Sequence, residues 1–200
     1  MLVTNYFYDL PEETKESIYL YEYNLILSKE VEIIQLHRKR SIVYEMKNKG
    51  IILKKFLSEG KGDNDIYALL ELNSSPYFPK IYAYKKREFL FVEKVNGKTL
   101  SQVLKEGITN NELKEIVLKM IEAKKDMMNV DRYDFDFKFE HIYWDTENST
   151  LKWIDLGACV KNPIGYSEEE KKKRIEYCIN QVKQQFAKYG YSLLDNLEGL

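Results

Sequence analysis

The sequence is short of cysteine, histidine and net charge, and each shortage closes off a class of protein. Two cysteines, Cys159 and Cys178, make no disulfide framework and fit a reducing compartment. With only two histidines and no finger-like spacing, a structural zinc site is not expected. Basic and acidic residues number 31 and 32, so the formal net charge is −1. Nothing global points to nucleic acid or to a membrane surface. No apolar run approaches the roughly 20 residues of a membrane span. Met1-Leu2-Val3-Thr4-Asn5 lacks the charged-then-apolar order of a signal peptide. The expectation is a soluble cytoplasmic protein.

What is present is a chain of 200 residues, 44% hydrophobic, enough for one compact unit or two small lobes sharing a cleft. Pro11-Glu12-Glu13 opens a helix over 11–28, with Ile18, Tyr21 and Leu25 on one face and Tyr19, Leu20 and Tyr23 on others. Residues 31–37, 42–47 and 50–57 read as three strands, with a turn at Asn48-Lys49-Gly50. A flexible link at Gly60-Lys61-Gly62 precedes a short amphipathic helix carrying Ile66, Leu69, Leu70 and Leu72. Asp63, Asn64 and Asp65 are all competent caps for it. Strands are expected over 80–86 and 88–93 around a turn at Arg87, and Phe89–Val92 is apolar throughout, as in a buried strand.

Thr99–Gln102, Thr109–Glu112 and Ser167–Glu170 are capping boxes. The second opens a helix whose Leu113, Ile116, Val117, Met120, Ile121, Met127 and Met128 trace one apolar face, with the methionines as core filler. Ile175, Cys178, Ile179, Val182 and Phe186 mark the buried face of the last helix. Its Glu168–Glu170 start and Lys171–Arg174 continuation read as a solvated face with helical ion pairs.

The chemistry is concentrated in residues 134–157. Asp136 is followed two residues later by Lys138 and five later by His141. A turn-rich gap over Asp145–Thr150 and an apolar run, Leu151–Ile154, lead to Asp155-Leu156-Gly157. This reads as a loop carrying an acid, a hairpin, and a second acid held at a strand end by a glycine turn. Two carboxylates so placed suit phosphoryl transfer: one orients or takes up the proton of a hydroxyl, the other holds the metal that bridges nucleotide phosphates.

At these residues the chain resembles the protein kinase-like superfamily, whose catalytic loop reads H-R-D-x-K-x-x-N and whose metal loop reads D-F-G. Asp136, Lys138 and Asp155-Leu156-Gly157 match in type and spacing. Asp134 stands where the family usually has His, and His141 where it has the metal-binding Asn. Ile52-Leu53-Lys54-Lys55 resembles V-A-I-K with Lys54 at the lysine; alternation puts Lys54 on a face with Ile52 and Phe56. An edge-strand charge is the other reading of that lysine. The resemblance places an acid on the following helix to pair with Lys54, and Asp65 fits best, with Glu71 next and a simple cap as the alternative. Glu93-Lys94-Val95-Asn96-Gly97 is similar to the family's hinge, which implies adenine contacts from the backbones of Glu93 and Val95; a plain Asn-Gly turn after a strand is the other reading. The link His37-Arg38-Lys39-Arg40-Ser41 carries no glycine where the family has a Gly-rich loop. Its basic side chains either meet phosphate or tip a solvated hairpin.

After Gly157 no A-P-E-like motif follows. The resemblance is therefore to compact atypical members, the minimal kinases of tRNA modification and the bacterial lipopolysaccharide-core sugar kinases. It implies an α+β, two-lobed kinase-like fold. Residues 1–95 would form an antiparallel-sheet lobe and 96–200 a truncated helical lobe. The expected cofactors are ATP and Mg²⁺ or Mn²⁺, with Asp155 on the metal and His141 either beside it, suiting Mn²⁺ better, or only hydrogen-bonding Asp136, or simply packed. The expected partners are a nucleotide and an unidentified hydroxyl-bearing substrate. Two rivals stand beside an active kinase: an inactive kinase-like module that binds nucleotide or a partner, and a nucleic-acid binder using 37–40. The second is disfavoured by so short a basic cluster in a neutral chain.

Overall fold

The computed structural model describes residues 1–24, 33–38, 41–57 and 63–192, with backbone alone for Asn24 and 33–38. The ends of the expected first helix and first strand, Leu25 among them, the side chains of the basic stretch 37–40 and the link at 60–62 lie outside the described residues. The chain divides into two compact units, 1–73 with 79–95 and 74–78 with 96–200. Segment 74–78 joins the second unit through specific bonds. Trp153 N–H donates to the Tyr77 carbonyl at 2.7 Å, Lys152 Nζ donates to the Phe78 carbonyl at 3.1 Å, and the Tyr77 hydroxyl donates to Glu122.

In the first unit, strands β1 (Leu2–Val3), β2 (Ile33–Arg38), β3 (Ser41–Met46), β4 (Ile51–Phe56), β5 (Ile81–Lys85) and β6 (Phe89–Glu93) form an antiparallel sheet in the order β1-β5-β6-β4-β3-β2. The all-apolar run Phe89–Val92 takes an interior place, β6, where both faces are covered and apolar residues lose no solvation by facing either way. One face packs against helices α1 (Asn5–Tyr8) and α2 (Glu12–Asn24) through Phe7, Ile18, Tyr21, Met46, Ile51, Leu53, Phe89 and Phe91. Tyr21 meets Phe89 and Phe91 edge-on, with ring centroids at 5.0 and 5.4 Å. The blurred stripe of α2 resolves accordingly: Ile18 and Tyr21 are buried while Tyr19, Leu20 and Tyr23 face solvent. Helix α3 (Asp63–Glu71) buries Asp65, Ile66, Ala68 and Leu69.

The second unit begins with β7 (Lys98–Thr99) and helices α4 (Leu100–Glu106) and α5 (Asn110–Asn129). Each helix starts at a complete capping box, on Thr99 and on Thr109. Every residue expected on the apolar face of α5 is buried, and Lys124 is buried with them. Then follow β8 (Arg132–Asp134), a 3-10 turn at Phe139–His141, and the hairpin β9 (Ile142–Asp145) with β10 (Thr150–Trp153). A second 3-10 turn, Leu156–Ala158, leads to β11 (Cys159–Lys161), which pairs antiparallel with β8. The last helix, α6 (Glu168–Ala187), starts at the Ser167 capping box and buries Cys178, Val182 and Phe186; Ile175 and Ile179 are half-buried. Among the described residues no helix is long and apolar enough to cross a membrane.

Candidate active site

The first unit, taken by itself, holds a lysine paired with an acid. In the β4–β6 ladder Lys54 pairs with Leu90 and Ile52 with Val92, so Lys54 lies on the sheet face opposite the Leu53–Phe91 core. Its Nζ donates to Asp65 Oδ2 at 2.5 Å. The Asp65 side chain is only 5% exposed and that of Lys54 19%, so the pair sits largely out of water. The shorter aspartate reaches the lysine because it lies in the first turn of α3. Glu93, at the end of β6, donates its N–H to the Lys80 carbonyl at 2.8 Å, and its carboxylate accepts from Lys80 N–H at 3.0 Å. Lys94 N–H donates to the Gly50 carbonyl at 2.9 Å, so the chain is tied down at Glu93 and at Lys94 before it reaches Val95.

The second unit, taken by itself, holds the residues of the acid-bearing loop and hairpin. Asp136 and Lys138 form a half-exposed ion pair, Nζ at 2.6 and 2.8 Å from the two carboxylate oxygens. That hydrogen bond, with smaller pushes from the Asp136, Asp155 and Glu140 charges, holds the Lys138 ammonium above its ordinary range. The β9–β10 register then carries the chain back: Ile154 N–H donates to the His141 carbonyl at 2.8 Å, which sets Asp155 beside His141. His141 Nε2 is 3.7 Å from Asp155 Oδ2, and the Asp155 side chain is 49% exposed. The expectation of a glycine turn at the second acid is corrected here. Asp155 itself takes the left-handed conformation, φ 58° and ψ 60°, while Gly157 lies within the following 3-10 turn. Aspartate tolerates this region better than most side chains do, and a strained acid aimed at solvent is a recurring mark of a functional loop.

Within the second unit Asp134 makes an arrangement that motif spacing did not reveal. Asp134 is 2% exposed. Its Oδ1 accepts the Asp136 N–H at 3.0 Å and its Oδ2 the Trp153 Nε1–H at 3.2 Å. One carboxylate thus ties the loop of Asp136 to the strand that leads to Asp155. Beneath it Lys124 Nζ donates to the Asp134 carbonyl at 3.4 Å and lies over the Tyr133 ring at 4.0 Å. Burial pushes the Asp134 carboxyl up, against the lowering effect of Asp136 N–H and the Lys124 charge; burial likewise pushes the Lys124 ammonium down. The signal available in the sequence was Lys124 itself, a cation at apolar spacing between Met120, Met127 and Met128.

As a metal site the second unit offers one carboxylate and one imidazole. Among the described residues no three His, Cys, Asp or Glu side chains gather to cage an ion. The 3.7 Å between His141 Nε2 and Asp155 Oδ2 is too long for a hydrogen bond, yet within the span of two ligands each about 2.0–2.2 Å from one divalent ion. His141 Nδ1 is buried and has no hydrogen-bond partner among the described residues. Two such groups could share one divalent ion whose remaining ligands come from elsewhere, and an imidazole suits Mn²⁺ better than Mg²⁺.

An antiparallel sheet with a helix-borne acid on a strand lysine, followed by a helical unit with an acid-bearing loop and hairpin, defines a protein kinase-like fold. The solved structure of the Cydia pomonella granulovirus kinase PK-1 shares it with this chain. The TM-score is 0.59 at 15% sequence identity, covering 76% of this chain and 58% of that one. The chain thus spans a little over half the length of that kinase. No protein-family model and no curated protein matches the sequence.

Proposed function

We propose that this protein is a compact atypical kinase, transferring the γ-phosphoryl group of ATP to a hydroxyl with the help of Mg²⁺ or Mn²⁺. The observation that carries the reading is the Lys54–Asp65 ion pair, a sheet lysine fixed by a nearly buried acid in a kinase-like fold. In this reading Lys54 neutralises the α and β phosphates, and Asp65 holds it in place. Asp155 and His141 hold the metal, which when bound screens the phosphate charge. Asp136 orients the acceptor hydroxyl, and Lys138, already bound to Asp136, meets charge on the moving phosphoryl group. Glu93 and Val95 meet the adenine edge. Since the Glu93 N–H is committed to Lys80, the contact from Glu93 runs through its carbonyl. Residues 1–95 and 96–200 then serve as nucleotide-binding and acceptor-binding lobes. Buried thiols at Cys159 and Cys178 suit action in the reducing cytoplasm.

The test is transfer of radiolabelled γ-phosphate to mixed acceptors, or to the protein itself, by wild type and by Asp136→Asn. Label incorporated by wild type and lost in the variant supports the reading. A second reading, a module that binds nucleotide without transferring phosphate, is favoured by His141 at a metal position and by the glycine-free link 37–41. Metal-dependent ATP binding with no transfer by wild type would select it.

A further inference from the structure

We propose that the face of the second unit beside Asp136 is the docking site for an acidic, apolar polypeptide segment that carries the acceptor hydroxyl. This rests on the phosphotransferase reading and names its substrate class. The face is a cavity of about 410 Å³ lined by Tyr133, Phe135, Glu170, Lys173, Arg174 and Tyr177. Phe135, the residue directly before Asp136, is 65% exposed, and Tyr177 is 58% exposed. Large aromatic groups left in water next to a candidate catalytic loop need a reason beyond the fold.

Arg174 supplies the specificity. Its guanidinium lies over the Tyr133 and Tyr166 rings, 4.7 and 4.5 Å from their centroids. Of the lysines before it on α6, Lys171 is paired with Glu168 at 2.8 Å and Lys173 with Glu169 at 2.6 Å, while Lys172 makes no ion pair among the described residues. The Glu170 carboxylate is taken by the Ser167 N–H and hydroxyl at 2.9 and 2.8 Å. Among the described residues Arg174 makes no hydrogen bond or ion pair, so its planar fork is held by rings and still has its donors to give. One such fork matches one carboxylate. The surroundings choose polypeptide over nucleic acid: Glu170, whose charge acts on Arg174, and its neighbour Glu169 would repel a run of phosphates. Two exposed aliphatic side chains belong to the segments that precede α6. Val160, which pairs with Tyr133 across β8–β11, is 48% exposed, and Ile164, two residues before Tyr166, is 93% exposed. An extended chain bearing a glutamate or aspartate and apolar side chains satisfies all of these at once.

The test uses the full chain without nucleotide and a fluorescein-labelled serine decapeptide with glutamate and leucine neighbours. Its control is a copy in which glutamine replaces each glutamate. By fluorescence polarisation, wild type is expected to bind the acidic peptide at least about tenfold more tightly than the glutamine copy, the worth of one charge-assisted hydrogen bond. Arg174→Gln should erase that preference. Tyr177→Ala, a change at an exposed side chain that leaves the fold intact, should weaken both peptides. Equal binding of the two peptides by wild type, an unchanged preference in Arg174→Gln, or tighter binding of single-stranded RNA than of the acidic peptide would each overturn the proposal. Because no nucleotide is present, failure here is separate from failure of metal-dependent ATP binding, which tests the underlying reading.

Discussion

Asp134→Ala is the substitution in which the structure puts most at stake. The side chain is 2% exposed and accepts two hydrogen bonds, from the Asp136 N–H at 3.0 Å and the Trp153 indole at 3.2 Å. Leaving the buried Trp153 indole N–H without a partner costs about 1–3 kcal/mol, and the part-buried Asp136 N–H adds a smaller loss because water can reach it. Two further effects oppose each other. Removing a carboxylate that burial already penalises gives something back, while the buried Lys124 cation loses a compensating charge. The hydrogen-bond term dominates, and a net loss of about 2–4 kcal/mol is expected. For a chain of this size that lowers Tm by roughly 5–15 °C, measured by far-ultraviolet circular dichroism. Pairing Asp134→Asn with Lys124→Met should recover part of the loss and give a coupling of at least about 1 kcal/mol in a double-mutant cycle. The pH dependence has a definite sign. The folded carboxyl is raised above its ordinary value of 3.8, so above that pH the folded state keeps a proton that the unfolded state has released. Its contribution is therefore full below pH 3.8 and is lost as pH rises through the folded value. The stability of wild type relative to Asp134→Asn should fall over that window. A Tm shift under about 2 °C for Asp134→Ala, or a relative stability that rises with pH there, would refute the reasoning.

Three other outcomes are expected. Gly97→Ala should destabilise far more than Gly107→Ala by thermal denaturation. Both have positive φ, 87° and 96°, but a Cβ at Gly97 would lie 2.6 Å from the Trp144 carbonyl carbon and 2.8 Å from Asp145 N, whereas Gly107 has nothing within 4 Å. Thr109→Ala removes the capping box of α5 and should cost about 1 kcal/mol, read as a small fall in Tm. His141→Asn should preserve or raise Mg²⁺-dependent turnover, since an amide oxygen suits Mg²⁺ better than imidazole does; a large loss would count against a ligand role.

What was legible in the sequence followed from periodicity and local caps. The stripe of α5, the unbroken apolar run of β6 and the three capping boxes each need only neighbours along the chain, and each has the expected form. The face of Lys54 followed from alternation in β4, and Asp65 lies within its reach one element later. The left-handed backbone at Asp155 was hidden, because the adjacent Gly157 offered the cheaper place for it. β1 and α1, of two and four residues, are too short for any period to show. The Asp134–Trp153 bond joins residues nineteen apart through a hairpin, so only the folded register reveals it. The exposed Phe135 and the ring-held Arg174 are likewise facts of surface and partners, which spacing does not encode.

The central claim is that Asp155 and Lys54 serve a bound metal–nucleotide complex. Calorimetric titration of ATP in Mn²⁺, in Mg²⁺ and in chelator, on wild type, Asp155→Asn and Lys54→Met, tests it most directly. The account requires binding by wild type that depends on the ion, with Mn²⁺ at least as effective as Mg²⁺, and its loss in both variants. ATP binding that ignores the ion, or that survives in Asp155→Asn, would contradict it.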